Sequence, residues 1–300
     1  MVNNTIITNN GRKIMINRIS KASPDYSIPA NMRAGINQED VSKIQTALTE
    51  DIPLKGLETG DDCDAITGWS ANGTNTITLN TTSGEFKEGI GCLNIIKSDT
   101  SSVDIEASKT ITSLDFTDKK IWCWVYLDET DVYDELETTG AITLRYGSDS
   151  SNYYYKTFNK SDLIAGWNPL YFSAPSATGT TGTPTITACD YFYIKLTTTD
   201  ATDVWVEKKV RLDYIRLASN DDYILTNMTG YPLIDETNHE VSRKYHLPTT
   251  SGNGFFINGF SVENTDSSIL THSLTKFGGD SKSNTDEWMI IVKDKIGDKK

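Results

Sequence analysis

Val204-Trp205-Val206-Glu207-Lys208-Lys209-Val210-Arg211-Leu212-Asp213-Tyr214-Ile215-Arg216-Leu217 is the stretch on which the reading of this chain turns. Val210 and Leu212 alternate with charged residues as a half-buried strand does; the apolar phase then slips by one residue, and Ile215 and Leu217 carry it on. One extra residue near Asp213-Tyr214, a β-bulge, accounts for the slip. The stretch therefore reads as the closing strands of a β-sandwich, Trp205–Val206 and Val210–Leu217. Upstream, from about Gly60, further strands are predicted at Thr76–Leu79, Cys92–Lys97, Ser102–Glu106, Lys120–Leu127, Ala141–Tyr146, Tyr153–Phe158, Pro169–Phe172 and Tyr191–Thr197. Short strands at this spacing, separated by Gly, Asp, Asn and Ser turns, predict a sandwich or jelly roll and not βαβ units. Ala177–Thr185 reads as a low-complexity loop with nothing to bury.

The composition agrees with an all-β class. Of 300 residues 37% are hydrophobic, and six Trp and 14 Tyr are enough for real cores. The formal net charge is −13. Residues 57–218 carry 24 Asp/Glu against 13 Lys/Arg, so the acidity belongs to the middle of the chain. A surface of that sign repels phosphate backbones and anionic leaflets, which argues against nucleic acid and against membrane insertion. No secretory leader is visible, and no run approaches the ~20 apolar residues of a membrane helix, so a soluble protein is expected. Cys63, Cys92, Cys123 and Cys189 show no C-x-x-C spacing and precede all three histidines. Free thiols and assembly in a reducing cytoplasm are expected, without a zinc site.

The flanks read differently. Residues 1–56 offer a short strand, Thr5–Thr8, a turn at Asn9-Asn10-Gly11, and a short helix over Arg12–Ile19 with Asn10 as its cap. Asn37 to Leu48 reads as a loop with a helical turn. This segment cannot close a core alone. Residues 219–300 supply strands at Tyr223–Thr226, Tyr231–Asp235, Glu240–Leu247, Gly254–Val262, Ile269–Thr275 and Glu287–Lys295. The expected fold is a jelly-roll β-sandwich, 57–218, inserted into a discontinuous, mainly β domain, 1–56 plus 219–300, with a short N-terminal helix.

Asp61 to Trp69, Phe86–Leu93, Ile121–Leu127, Leu144–Tyr154, Gly166-Trp167-Asn168 and Leu212–Leu217, in this order and spacing, resemble the galactose-binding-like, carbohydrate-binding-module-like jelly rolls. The flanking Asn4–Arg12, Asn253–Phe260 and Ser281–Ile296 stretches resemble structural proteins of tailed phages. The resemblance implies a virion component of the decoration, head-fibre or tail/baseplate accessory type. Assembly in the host cytoplasm, a homo-oligomeric state, other virion proteins as partners of the flanking domain and a host glycan as ligand of the jelly roll follow from it. A bacterial carbohydrate-binding or adhesin subunit is the alternative. The jelly-roll resemblance also implies a structural calcium held by Asp61, Asp64, Glu88 and Asp213, with backbone carbonyls completing the 6–8 oxygens that calcium takes.

Alternation assigns strand faces. Ile142, Leu144 and Tyr146 on one strand and Phe192, Ile194 and Leu196 on another are core-like, which turns Arg145, Tyr191 and Tyr193 outward. Opposite Ile121, Cys123, Val125 and Leu127 stand Trp122, Trp124 and Tyr126. If these strands are neighbours, Trp122, Trp124, Arg145, Tyr191 and Tyr193 share one surface suited to neutral glycans, whose C–H faces stack on aromatic rings. Cover by protein on both sides of Ile121–Leu127 is the competing reading. No phosphate loop, nucleophile elbow or His–nucleophile pair is present, so binding is expected and not catalysis; a polysaccharide-degrading enzyme, which needs only two carboxylates, is the less favoured possibility.

Overall fold

The computed structural model describes residues 4–36, 51–55, 57–128, 132–205, 210–249, 251–265, 271–282 and 285–295. The chain forms two compact units, Leu57–Ser219 and the flanks Met1–Gly56 with Asn220–Lys300.

In the N-terminal flank, β1 (Asn4–Ile7) leads into helix α1 (Asn9–Ser20), followed by β2 (Pro29–Gly35). The cap of α1 is Thr8, not Asn10: its hydroxyl accepts the Gly11 N–H at 3.0 Å, and the expected Asn9-Asn10-Gly11 turn is the first turn of the helix. The expected helical turn in Asn37–Leu48 lies outside the described residues. After the middle unit come β15 (Leu225–Thr226), β16 (Leu233–Asp235), β17 (Glu240–Leu247), β18 (Phe256–Asn264), β19 (Thr271–Ser281) and β20 (Trp288–Lys295). Strands of both flanks share one sheet of order β1-β19-β18-β2-β15, while β16-β17-β20 form a second. Met32, Ala34, Ile257 and Val262 are buried, and Arg33 joins Glu263 at 3.0 Å to Asp51 at 2.7 Å. The N-terminal flank thus contributes a central strand to a sheet that it could not complete by itself.

The middle unit is a two-sheet sandwich. Its strands are β3 (Glu58–Asp61), β4 (Ser70–Ala71), β5 (Thr76–Asn80), β6 (Cys92–Ile96), β7 (Asp104–Leu114), β8 (Lys119–Leu127), β9 (Ile142–Asp149), β10 (Asn152–Phe158), β11 (Gly166–Ser173), β12 (Gly179–Thr181), β13 (Cys189–Thr197) and β14 (Val210–Ser219). The front sheet has the order β12-β10-β9-β13-β7-β4; the back sheet is β11-β8-β14-β6-β5, with β3 also pairing β14. Trp205 is buried but outside any strand, and Val206 to Lys209 lie outside the described residues.

The core fills from the alternating positions of both sheets. Ile142, Leu144, Tyr146, Phe192, Ile194 and Leu196 face Ile121, Cys123, Val125, Leu127, Leu212 and Leu217, all at most 2% exposed. Each such aliphatic or aromatic side chain contributes roughly 1.5–3 kcal/mol by leaving water. Phe116 packs edge-on against Tyr146 and Phe172, and the buried Tyr146 hydroxyl donates to the Cys189 carbonyl at 2.9 Å. The four cysteines are free and buried in this unit. On β14 the register shifts between Asp213 and Arg216, with Tyr214 at φ 44°, which is the bulge that the phase slip requires.

Candidate functional site

The outer face of the front sheet gathers aromatic rings around one guanidinium. Strand pairing sets two rows across the sheet, Tyr153–Gly147–Tyr191 and Tyr155–Arg145–Tyr193–Ser108. The Arg145 guanidinium carbon lies 4.7 Å from the Tyr153 ring centre and 3.9 Å from that of Tyr193, two cation–π contacts that fix the side chain. Tyr193 is only 4% exposed and forms the floor under Arg145. Burial first, and then the neighbouring Glu106, push its phenol well above the ordinary range. Tyr191 is half-buried; burial raises its pKa against the opposing effects of the Ser108 hydroxyl and Arg145. Lys195, on the same face, is paired with Asp104 at 3.2 Å.

Local sequence explains how the rings come to stand there. In Tyr153-Tyr154-Tyr155 the middle ring turns inward, edge-on to Phe116 at 5.9 Å, which leaves its neighbours outside, 6.4 Å apart. A Cβ on Gly147 would lie 2.2 Å from the Asn152 carbonyl and 2.4 Å from the Tyr153 Cα, so only glycine lets the two strands close here. A Cβ on Gly179 would meet the Tyr155 ring at 2.6–2.9 Å. The Gly/Thr run expected to be a bare loop is therefore in part the edge strand β12, whose glycine makes room for a tyrosine.

The expected single surface of five residues is divided by the fold. Arg145, Tyr191 and Tyr193 meet on the front face, and Tyr153 and Tyr155 join them; Trp122 and Trp124 belong to β8, in the back sheet. Both tryptophans do point away from the core, yet they are 2% and 4% exposed. Trp122 stacks on Tyr171 at 4.1 Å and 20°, and the Lys87 ammonium lies 5.1 Å from the Trp124 ring. Alternation fixes the side of its own strand that a residue faces, not the sheet that the strand joins. Tyr153 and Tyr155 escaped notice because three consecutive tyrosines show no phase.

The calcium expectation can be tested on the four acids themselves. Asp61 pairs with Lys109 at 2.6 Å and accepts the Cys63 N–H at 3.0 Å. Asp64 accepts the Ile90 and Gly91 N–H groups at 2.9 and 2.7 Å; Asp213 accepts those of Lys87 and Glu88 at 2.6 and 3.1 Å. Glu88 lies 3.6 Å from Arg216. The carboxylates thus clamp the 87–91 turn and neutralise cations, and among the described residues no three His, Cys, Asp or Glu side chains converge as a metal set. Asp213 is fully buried with Oδ1 unpartnered, and desolvation, opposed by those two N–H groups, pushes its carboxyl up to about 7.

No family model and no curated protein matches the chain. Solved structures that resemble it in shape include the family 11 carbohydrate-binding module from Clostridium thermocellum in complex with a β-1,3-1,4-mixed-linked tetrasaccharide. That likeness has 11% identity, covers 55% of this chain and 96% of the module, and has a TM-score of 0.37. An exo-β-agarase is similar at 8% identity over 55% of this chain and 26% of its own, with a TM-score of 0.40. The K2 cleaved adhesin domain of Lys-gingipain is similar at 10% identity over 54% of this chain and 98% of its own, with a TM-score of 0.30. At such identities and scores these are likenesses of shape, and nothing about the ligand rests on them.

Proposed function

We propose that the sandwich is a glycan-binding module and that its ligand lies on the outer face of the front sheet. The observation that carries this reading is the half-buried row of Tyr153, Tyr155 and Tyr191 around Arg145, built on a packed core. Tyrosine rings offer flat apolar surface to the C–H faces of a sugar and keep a hydroxyl for its polar rim, at little cost in side-chain entropy. Arg145, held by two rings, adds donors already in place before a ligand arrives. Tyr191→Ala in the full chain is expected to weaken glycan binding by about 1–3 kcal/mol, as loss of a stacking anchor does. Titration of wild type and variant against a glycan panel measures this; unchanged affinities would remove the front face from consideration.

The flanking unit is proposed to anchor the module to a particle of the tailed-phage type. The support for this is the resemblance of the flank sequences alone. Copurification of the protein with assembled particles tests it, and a bacterial adhesin subunit would instead fractionate with the cell surface.

A further inference from the structure

We infer that the front face takes a glycan carrying a carboxylate, with the acidic sugar seated on Arg145; this rests on the glycan-binding reading above. The sandwich has three arginines. Arg211 is paired with Glu85 at 2.8 Å and Arg216 with Glu88 at 3.6 Å, both on the back sheet. Among the described residues Arg145 has neither a carboxylate within 4.0 Å nor a hydrogen-bond acceptor, although its guanidinium carbon lies 4.7 Å from the Tyr153 ring centre and 3.9 Å from that of Tyr193. Two rings this close remove part of the water from the cation and accept none of its N–H groups. A guanidinium left without an acceptor is a planar fork of N–H donors, and the partner that matches two of them in parallel is a carboxylate.

A sugar hydroxyl could take one of those donors, but charge-assisted pairs are roughly twice as strong as neutral ones. A partly desolvated cation gains most from an anion that neutralises it. The acids of the same face limit how much charge the ligand can carry. Glu106 stands beside Tyr193, and Asp104 is already held by Lys195. A polymer charged at every residue would meet these carboxylates, whereas one uronate among neutral sugars meets only Arg145, with its neutral neighbours left to Tyr155 and Tyr191. This departs from the neutral glycan expected from net charge alone, because the acidity of the unit is a long-range average and Arg145 is a local exception.

The test uses the full chain and an array of uronate-bearing hetero-oligosaccharides, each printed beside its carboxyl-reduced form. Wild type is expected to prefer at least one acidic form over its reduced partner by tenfold or more. Arg145→Gln should erase that preference, and Arg145→Lys, which keeps the charge and loses the fork, should retain only part of it. Unchanged melting temperatures of both variants would show that the loss is not one of folding. Equal binding of acidic and reduced forms by wild type would overturn the inference and leave the glycan platform standing. Binding to neither form anywhere on the array would overturn both.

Discussion

Trp122 and Trp124 on the back sheet keep 2% and 4% of their surface, whereas Tyr153, Tyr155 and Tyr191 on the front sheet are only half-buried; both sets point away from the same core. Each face also carries guanidinium groups against aromatic rings. Arg211 lies 4.5 Å from the Tyr126 ring centre and Arg216 4.8 Å from that of Tyr214, just as Arg145 lies near Tyr153 and Tyr193. The difference is in what completes the cation. On the back sheet a carboxylate of the protein does so; on the front sheet none of the described residues does. The face proposed to bind glycan is thus the one on which, among the described residues, the guanidinium is left without a carboxylate of the protein.

Substitution should separate the two faces most sharply in stability. Trp124→Ala is expected to cost about 3–5 kcal/mol, the loss typical of a buried aromatic, as read from urea unfolding of the full chain. A loss below about 1 kcal/mol would mean that the back face is in fact open.

A smaller effect is expected at Asp213. Its folded-state pKa lies above the unfolded value, so its protonated form is favoured by folding. The stability it contributes is whole below about pH 4 and is lost as the pH rises through about 7. At about 1.4 kcal/mol per unit, the decline is on the order of 2–4 kcal/mol. Asp213→Asn keeps an oxygen for the Lys87 and Glu88 N–H groups and removes the ionisation. Unfolding free energies at pH 4.5 and 7.5 should diverge between wild type and variant, the variant gaining at the higher pH. A pH-independent difference would refute the buried, unpartnered carboxyl.

The smallest change belongs to the front face. Tyr191→Ala, the variant expected to lose glycan affinity, should alter stability by only about 1 kcal/mol or less, since its ring is only half-buried. A loss as large as that of Trp124→Ala would make the two faces equivalent.

Much of this was legible in the sequence, and the limits have physical causes. The inward sets on β9 and β13 follow from a period of two, and the bulge at Asp213-Tyr214 follows from one slipped phase, because both are local properties of a strand. Which strands are neighbours is not local: β8 reads as an aromatic face wherever it is placed, and only tertiary pairing puts it between β11 and β14. β12 was hidden because Gly and Thr bury nothing, and its pairing with Tyr153–Tyr155 is carried by the backbone. The unpaired state of Arg145 was hidden as well, since a carboxylate that is not nearby leaves no trace in a sequence that holds 41 acidic residues.

The sandwich begins and ends on paired strands: Glu58 on β3 stands opposite Leu217 on β14. Adjacent strands lie about 4.8 Å apart, so the two attachment points of a unit of some 160 residues are separated by little more than one peptide's length. Such a unit is a cassette. A bridge of two or three residues spans the same gap, and any other sandwich whose first and last strands pair in this way can be spliced at the same two points. Exchange of the sandwich, in a genome or on a bench, then has only to respect those two junctions.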